Sequence, residues 1–414
     1  MDFLFENITP KQTVLKNTFW LYLGNFISKL FKLLIIILSA RYLGAEGYGH
    51  FSYILSIIGI FFVFSDWGSS FLMVRDYQNE NNKNKLINNF ITFRIFLLLI
   101  SFLFIFSGFF LFRDNHSRLI FFITFIFFFI NQVKQIIISF FEAIKKMEYE
   151  GIANIIESFF ILLFVILFLR QFNDPLYLSL GYLFGIIITF LFSLRVFLKI
   201  FDIKNFYFSF NKFKYFLING TPLLFFGILG FIFFSSDQIV LGYIKGYQEV
   251  GYYSLATKII LNLNLIIAFF LTALLPSISE IKYDNQRMKK ILARVFVYNF
   301  LIYLSIMMFI ILTPHNFIEL FVGNNYQKTI YLIKFLSPFL LLISNISILD
   351  NILFVYNQQW KNFLITFICA LLNLLLNFLL IPNYGSDGAA LATYLSQILN
   401  LLLSFYLVKK ILSF

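Results

Sequence analysis

Twelve apolar segments of roughly 20 to 30 residues follow one another through the chain, each bounded by glycine, proline or a cluster of charge. They run 17–43, 48–74, 87–112, 118–144, 151–170, 176–200, 214–243, 250–279, 291–313, 328–356, 361–381 and 386–409. About 20 apolar residues suffice for a helix to cross a bilayer. In hydrocarbon each backbone N–H and C=O has to be paired inside the protein, so segments of this length and spacing can only be helices. Charged residues make up 13% of the chain, against about 25% in a soluble domain. The expected fold is an all-α integral membrane protein with twelve transmembrane helices. Several spans exceed 25 residues, which calls for tilt or for extension past the bilayer.

The formal net charge of +12 invites a nucleic-acid reading, but the placement of the charge answers it differently. With the N-terminus inside, twenty of the 32 Lys and Arg residues fall in inner loops, six in outer loops and six within spans. Basic residues collect on the cytoplasmic side of membrane proteins, so both termini are expected in the cytoplasm and no nucleic acid is expected as a partner. The first 16 residues are polar and include Asp2 and Glu6, and no signal peptide is expected. The single cysteine, Cys369, allows no disulfide framework, and the scattered His50, His116 and His315 suggest no metal site. The 62 phenylalanines are read as genome composition. Trp20, Tyr22, Trp360 and Tyr384, near span ends, are read as interface anchors.

The stretch GAEGYGHFS at 44–52 returns 202 positions later as GYQEVGYYS at 246–254, so that Gly44 matches Gly246 and Gly49 matches Gly251. Each copy falls at the outer turn between the first and second span of a half. The charged loop 202–214 divides six spans from six. A parallel internal repeat is expected, with one six-helix lobe over 1–206, a second over 207–414 and a candidate cleft between them.

Ionisable residues within spans are costly and face a partner or a water-filled cavity. On the first span Asn25, Ser28, Lys29 and Lys32 stand at i, i+3, i+4 and i+7, on one helix face. The two lysines either form salt bridges, with Asp66 or Glu157 as partners, or line a cationic cavity. Asn131, Lys134 and Gln135 sit together on the fourth span, as a cavity group or as helix–helix hydrogen-bonding residues. Arg94 either belongs with them or snorkels to the nearby membrane surface, and Lys334 is read as snorkelling. Ser254, Lys258 and Asn262 share a face on the eighth span. Lys258 either pairs with Asp237 or faces the cleft while Asp237 binds a coupling cation. The basic surplus in the first half favours an anionic cargo.

The stretches LGAEGYGHFSYILS, DWGSSFLMVRD at 66–76, DQIVLGYIKGYQEVGYYSLATK at 237–258 and NYGSDGAALATYLS at 383–396 together resemble the polysaccharide repeat-unit (O-antigen) flippases, the Wzx group of the multidrug/oligosaccharidyl-lipid/polysaccharide (MOP) exporter superfamily. The resemblance covers nearly the whole chain. It implies a two-lobed, V-shaped transporter of the bacterial inner membrane, not an enzyme and without a cofactor. Such a transporter moves undecaprenyl-pyrophosphate-linked oligosaccharides from the inner to the outer leaflet for O-antigen, lipopolysaccharide or capsule synthesis. Its partners are that glycan, membrane lipid, H+ or Na+ and a polysaccharide polymerase. Lys29, Lys32, Arg94, Lys134 and Lys258 are the candidate substrate-binding residues, and Asp66, Glu157 and Asp237 the candidate ion-coupling residues. The alternative is a multidrug or cation exporter of the same superfamily, which predicts a net acidic cavity. A membrane enzyme fits less well, because the longest outer loop, 313–327, offers only His315 and Glu319. GxxxxGK[ST] is absent from the sequence, so direct ATP drive is not expected.

Overall fold

A computed structural model describes residues 5–201, 209–264 and 285–412. Among these residues all regular structure is helical. The helices are α1 (Pro10–Asp66), α2 (Ser69–Asp76), α3 (Lys83–Gly108), α4 (Asn115–Ala143), α5 (Met147–Leu169), α6 (Pro175–Ile200), α7 (Phe210–Lys245), α8 (Tyr247–Leu263), α9 (Asn285–Leu312), α10 (His315–Val322), α11 (Gln327–Leu336), α12 (Phe339–Val355), α13 (Gln359–Tyr384) and α14 (Ser386–Leu412). Nine helical segments are long and apolar enough to cross a membrane among the described residues, or ten with α11 and α12 taken as one bent span. Two reasons for the difference from twelve are visible. α1 runs through two expected spans, and the end of the eighth, 265–279, lies outside the described residues. Leu103, Phe309, Leu312 and Leu379 are among the many large apolar side chains left exposed, as suits helices that meet lipid tails instead of water.

The first helix begins where Thr9 accepts a hydrogen bond from the Gln12 amide at 3.2 Å, with Pro10 in the first turn. Thr9 satisfies one of the N–H groups that a helix start leaves without an intrahelical partner. The helix is 57 residues long but not continuous in geometry, because Gly44 sits at φ 67°, ψ 177°. Gly246, between α7 and α8, sits at φ 89°, ψ 178°. Residues with a Cβ avoid this region. The sequence repeat is therefore a repeated one-residue break, where a loop was expected around 44–47. The paired glycines further on are reciprocal as well. A Cβ on Gly49 would lie 1.8 Å from the Tyr247 carbonyl oxygen, and one on Gly251 would lie 1.9 Å from that of Ala45. These contacts map onto each other under the 202-residue shift.

Two further breaks were not expected. Trp67 (φ 50°) and Gly68 (φ 68°) end α1 and start α2 inside the expected span 48–74. The expected span 328–356 bends by 42° between α11 and α12, where Pro338 has no N–H to continue the helix. The chain clusters into two compact units, Met1–Leu43 with Tyr53–Phe231, and Gly44–Ser52 with Ile232–Phe414. The expected lobe boundary at 206/207 lies outside the described residues.

Candidate functional site

In the first unit, charged side chains from α1, α3, α4 and α5 meet inside the helix bundle. Asp66 is the last residue of α1, and the left-handed Trp67 and Gly68 that follow turn the chain there. Ser70 donates to the Asp66 carboxylate at 2.5 Å. Arg94 of α3 is fully buried. It donates to Asp66 Oδ1 at 2.5 Å, to the Ser65 carbonyl at 2.8 Å and to Gln132 Oε1 at 3.1 Å. The snorkelling alternative for Arg94 is thereby corrected: an ion pair holds it inside.

A second ion pair lies between α4 and α5, where Lys134, buried, donates to Glu157 Oε2. The other carboxylate oxygen of Glu157 is 3.9 Å from the ammonium of Lys32. This juxtaposition follows from a close approach lower on the same helices, where a Cβ on Gly24 of α1 would stand 2.5 Å from Gly151 Cα of α5. The Lys32 side chain is 47% exposed. Lys29, one turn earlier, is partly exposed, feels the repulsion of Lys32 and has no carboxylate partner among the described residues. Glu142 and Glu150 lie against each other where α4 hands over to α5, within electrostatic reach of Asp66 and Lys134 respectively. The expected basic surplus is matched here, since Asp66, Glu142, Glu150 and Glu157 stand against Lys29, Lys32, Arg94 and Lys134. Arg94 and Lys134 are buried against a carboxylate, whereas Lys29 and Lys32 are the basic groups left at least partly exposed.

In the second unit, the expected pairing of Asp237 with Lys258 is not formed. Asp237, buried on α7, accepts from Tyr253 Oη, Asn377 Nδ2 and Thr393 Oγ1, with Asn373 also in range. A cavity of about 30 Å³ beside it is lined by Phe233, Tyr253, Thr257, Leu336 and Thr393 among others. Lys258 points elsewhere. Its ammonium donates to Tyr48 Oη at 3.1 Å and Ser52 Oγ at 3.2 Å, and lies 5.0 Å from the Tyr48 ring centre. Tyr253 and Lys258 are five residues apart on α8, about 140° round the helix. The residue that binds Asp237 therefore cannot share a face with Lys258. Lys334 donates to the carbonyl of Thr313 just past the end of α9 at 2.9 Å, a place where helices attract positive charge.

The sequence reading missed the Asp237 partners, although Asn373 and Asn377 at i, i+4 on an otherwise apolar helix were a visible signal. It also missed the buried pair of Lys16 with Glu148 at 2.8 Å. Tyr48 and Ser52 stand out in the sequence only as part of the repeat.

Residues 14–282 match the model of the family described as "Polysaccharide biosynthesis protein". The chain is 26% identical over 394 residues to the capsular polysaccharide biosynthesis protein CapF of Staphylococcus aureus, spanning 91% of this chain and 95% of that protein. In fold it is similar to the lipid II flippase MurJ in an inward closed conformation, with a TM-score of 0.76 at 18% identity over 93% of this chain and 86% of that one. It is also similar to an inward-facing multidrug resistance MATE family transporter of the MOP superfamily, with a TM-score of 0.69 at 14% identity over 93% and 95% of the two chains. The chain is a multi-pass membrane protein with the transporter fold of the MOP superfamily, and it belongs to the polysaccharide biosynthesis protein family.

Proposed function

We propose that the protein is a flippase that carries undecaprenyl-pyrophosphate-linked oligosaccharide repeat units from the inner to the outer leaflet, for O-antigen or capsule synthesis. The observation that carries this reading is the Lys29–Lys32 face of α1. Two ammonium groups stand one turn apart well inside a membrane helix, both at least partly exposed, with Glu157 3.9 Å from Lys32 and no carboxylate on Lys29 among the described residues. Such charge is costly in a membrane unless an anion or water meets it. A pyrophosphate carries enough negative charge to pair with both ammonium groups. A lysine meets phosphate as a point charge where an arginine would use a planar fork. Lys258, held only by hydroxyls and a ring, is a second cation without a carboxylate partner among the described residues. Arg94 and Lys134 support the site through their ion pairs.

The reading includes alternating access coupled to H+ or Na+, with Asp237 as the coupling residue. Asp66 and Glu157 already have cationic partners, whereas Asp237 has only neutral ones. Asn377 Oδ1 beside it is buried without a hydrogen-bond partner. An all-oxygen set of carboxylate, amide and hydroxyl groups suits a hard cation, and a carboxylate alone suffices for a proton.

The test is deletion and rescue in the native host, following surface polysaccharide and the lipid-linked repeat unit in the inner leaflet. Deletion is expected to abolish the polymer and accumulate the lipid-linked unit. The parent and Lys334→Ala are expected to rescue, and the membrane-inserted double variant Lys29→Ala/Lys32→Ala is not. Intact surface glycan with raised drug sensitivity would instead move the reading to multidrug export.

A further inference from the structure

Glu157 is shared unequally between two lysines. Its Oε2 is clamped to Lys134, whose side chain is 2% exposed, and its Oε1 faces Lys32 across 3.9 Å. The first contact is buried on both sides. The second is long for an ion pair and half open. A loose pair in an open setting contributes about 0–1 kcal/mol, so it yields readily to a competing anion. A buried pair does not, because separating it strands a charge in low dielectric. Lys29, one turn away and without a carboxylate of its own, would hold the other side of an incoming diphosphate. The remaining charged group near Lys134 is Glu150, at the start of α5.

From this asymmetry we infer that Glu157 is a resident counter-ion for the cargo site, displaced from Lys32 by the anionic head of the cargo while it stays fixed to Lys134. The inference rests on the flippase reading and gives that site a property of its own. When empty, the site is partly neutralised, so small inorganic anions gain little by entering. When the cargo leaves, the carboxylate returns to Lys32 and competes with rebinding. Glu157 is then a positioning residue that sets affinity and release, in place of the ion-coupling role expected for it.

The test uses the full-length protein in lipid nanodiscs and farnesyl pyrophosphate as a short-chain probe. Glu157→Gln removes the competitor and one like charge near the diphosphate. It is expected to tighten binding by about ten-fold, the scale of one charge interaction in a partly screened site. The tightening is expected to shrink in a Lys32→Ala background, to the part that comes from the lost like charge. Transport in the rescue assay is expected to fall in the same variant, because release slows. A merely structural role would lower binding and transport together. Since Glu157→Gln leaves Lys134 without its partner, the double variant Lys134→Met/Glu157→Gln serves as a folding-safe version and is expected to show the same tightening. Unchanged or weaker binding in a folded Glu157→Gln or double variant overturns the counter-ion role. If Lys29→Ala/Lys32→Ala still weakens binding in that case, the flippase reading stands without it. If that lysine pair has no effect on probe binding, the cargo site itself is misplaced and the counter-ion falls with it.

Discussion

Arg94 has no exposed surface, so its charge depends entirely on what surrounds it. Asp66, the Ser65 carbonyl and Gln132 supply that surrounding. Removing the guanidinium leaves the buried Ser65 carbonyl without its donor, while Asp66, 37% exposed, can be solvated, so the cost is about 1–3 kcal/mol. Arg94→Ala is therefore expected to lower thermal stability in detergent by that order. Arg94→Lys is expected to recover only part, because one ammonium cannot reproduce the fork that serves three acceptors. An Arg94→Ala protein as stable as the parent would show that the Ser65 and Gln132 contacts are replaced at no cost. Asp237 makes a different prediction. If it binds the coupling cation, the melting temperature of the parent rises with added Na+ or with acid, as for any ligand that binds only the folded state. Asp237→Asn abolishes that rise. The identities of these residues were legible in the sequence, because a charge inside an apolar run stands out. Their partners were not, since which helix faces which is decided by packing at places such as Gly24 and Gly151, which lie far along the chain from each other.

At the scale of the helices, the duplicated glycines explain why 44–52 and 246–254 look alike. Gly44 and Gly246 adopt one backbone conformation, and an ideal Cβ on either would meet no atom within 4 Å. Alanine there strains only the backbone, at about 1–3 kcal/mol. Gly49 and Gly251 have acceptable backbones but carbonyl oxygens under 2 Å from where a Cβ would stand. Gly49→Ala and Gly251→Ala must push helices apart, so they are expected to lose more stability than Gly44→Ala and Gly246→Ala. Thermal unfolding of the four variants, measured side by side, checks the order. Equal losses would mean that the close approach relaxes at no cost. The repeat was readable because glycine spacing survives in a one-dimensional string. The reduction of an expected loop to a single residue was not, since Glu46 and Gly47 read as loop even where helix continues through them. The bend at Pro338 was missed for the opposite reason. Its flanks are so apolar that hydropathy ran straight through a residue that cannot donate a backbone hydrogen bond.

For the whole molecule, the proposed direction of transport depends on orientation, and orientation rests on twenty basic residues against six. The sole cysteine, Cys369, is fully buried, so a Cys369→Ala background carries no thiol of its own. On it, single cysteines at three exposed positions report the topology. Lys145 lies in the turn between α4 and α5, Arg113 lies between α3 and α4, and Lys410 lies near the end of α14. A membrane-impermeant maleimide applied to intact cells is expected to label Arg113→Cys and to leave Lys145→Cys and Lys410→Cys untouched until the membrane is opened. Lys145 follows the fourth expected span and Lys410 the twelfth, so their agreement requires an even number of crossings between them. Labelling of Lys410→Cys alone from outside would make that number odd and break the two-by-six arrangement. Labelling of both from outside, with Arg113→Cys protected, would invert the protein. The Lys29–Lys32 face, at the middle of the span 17–43, would keep its depth, but every loop would change sides and the inner-to-outer direction would lose the charge asymmetry it rests on.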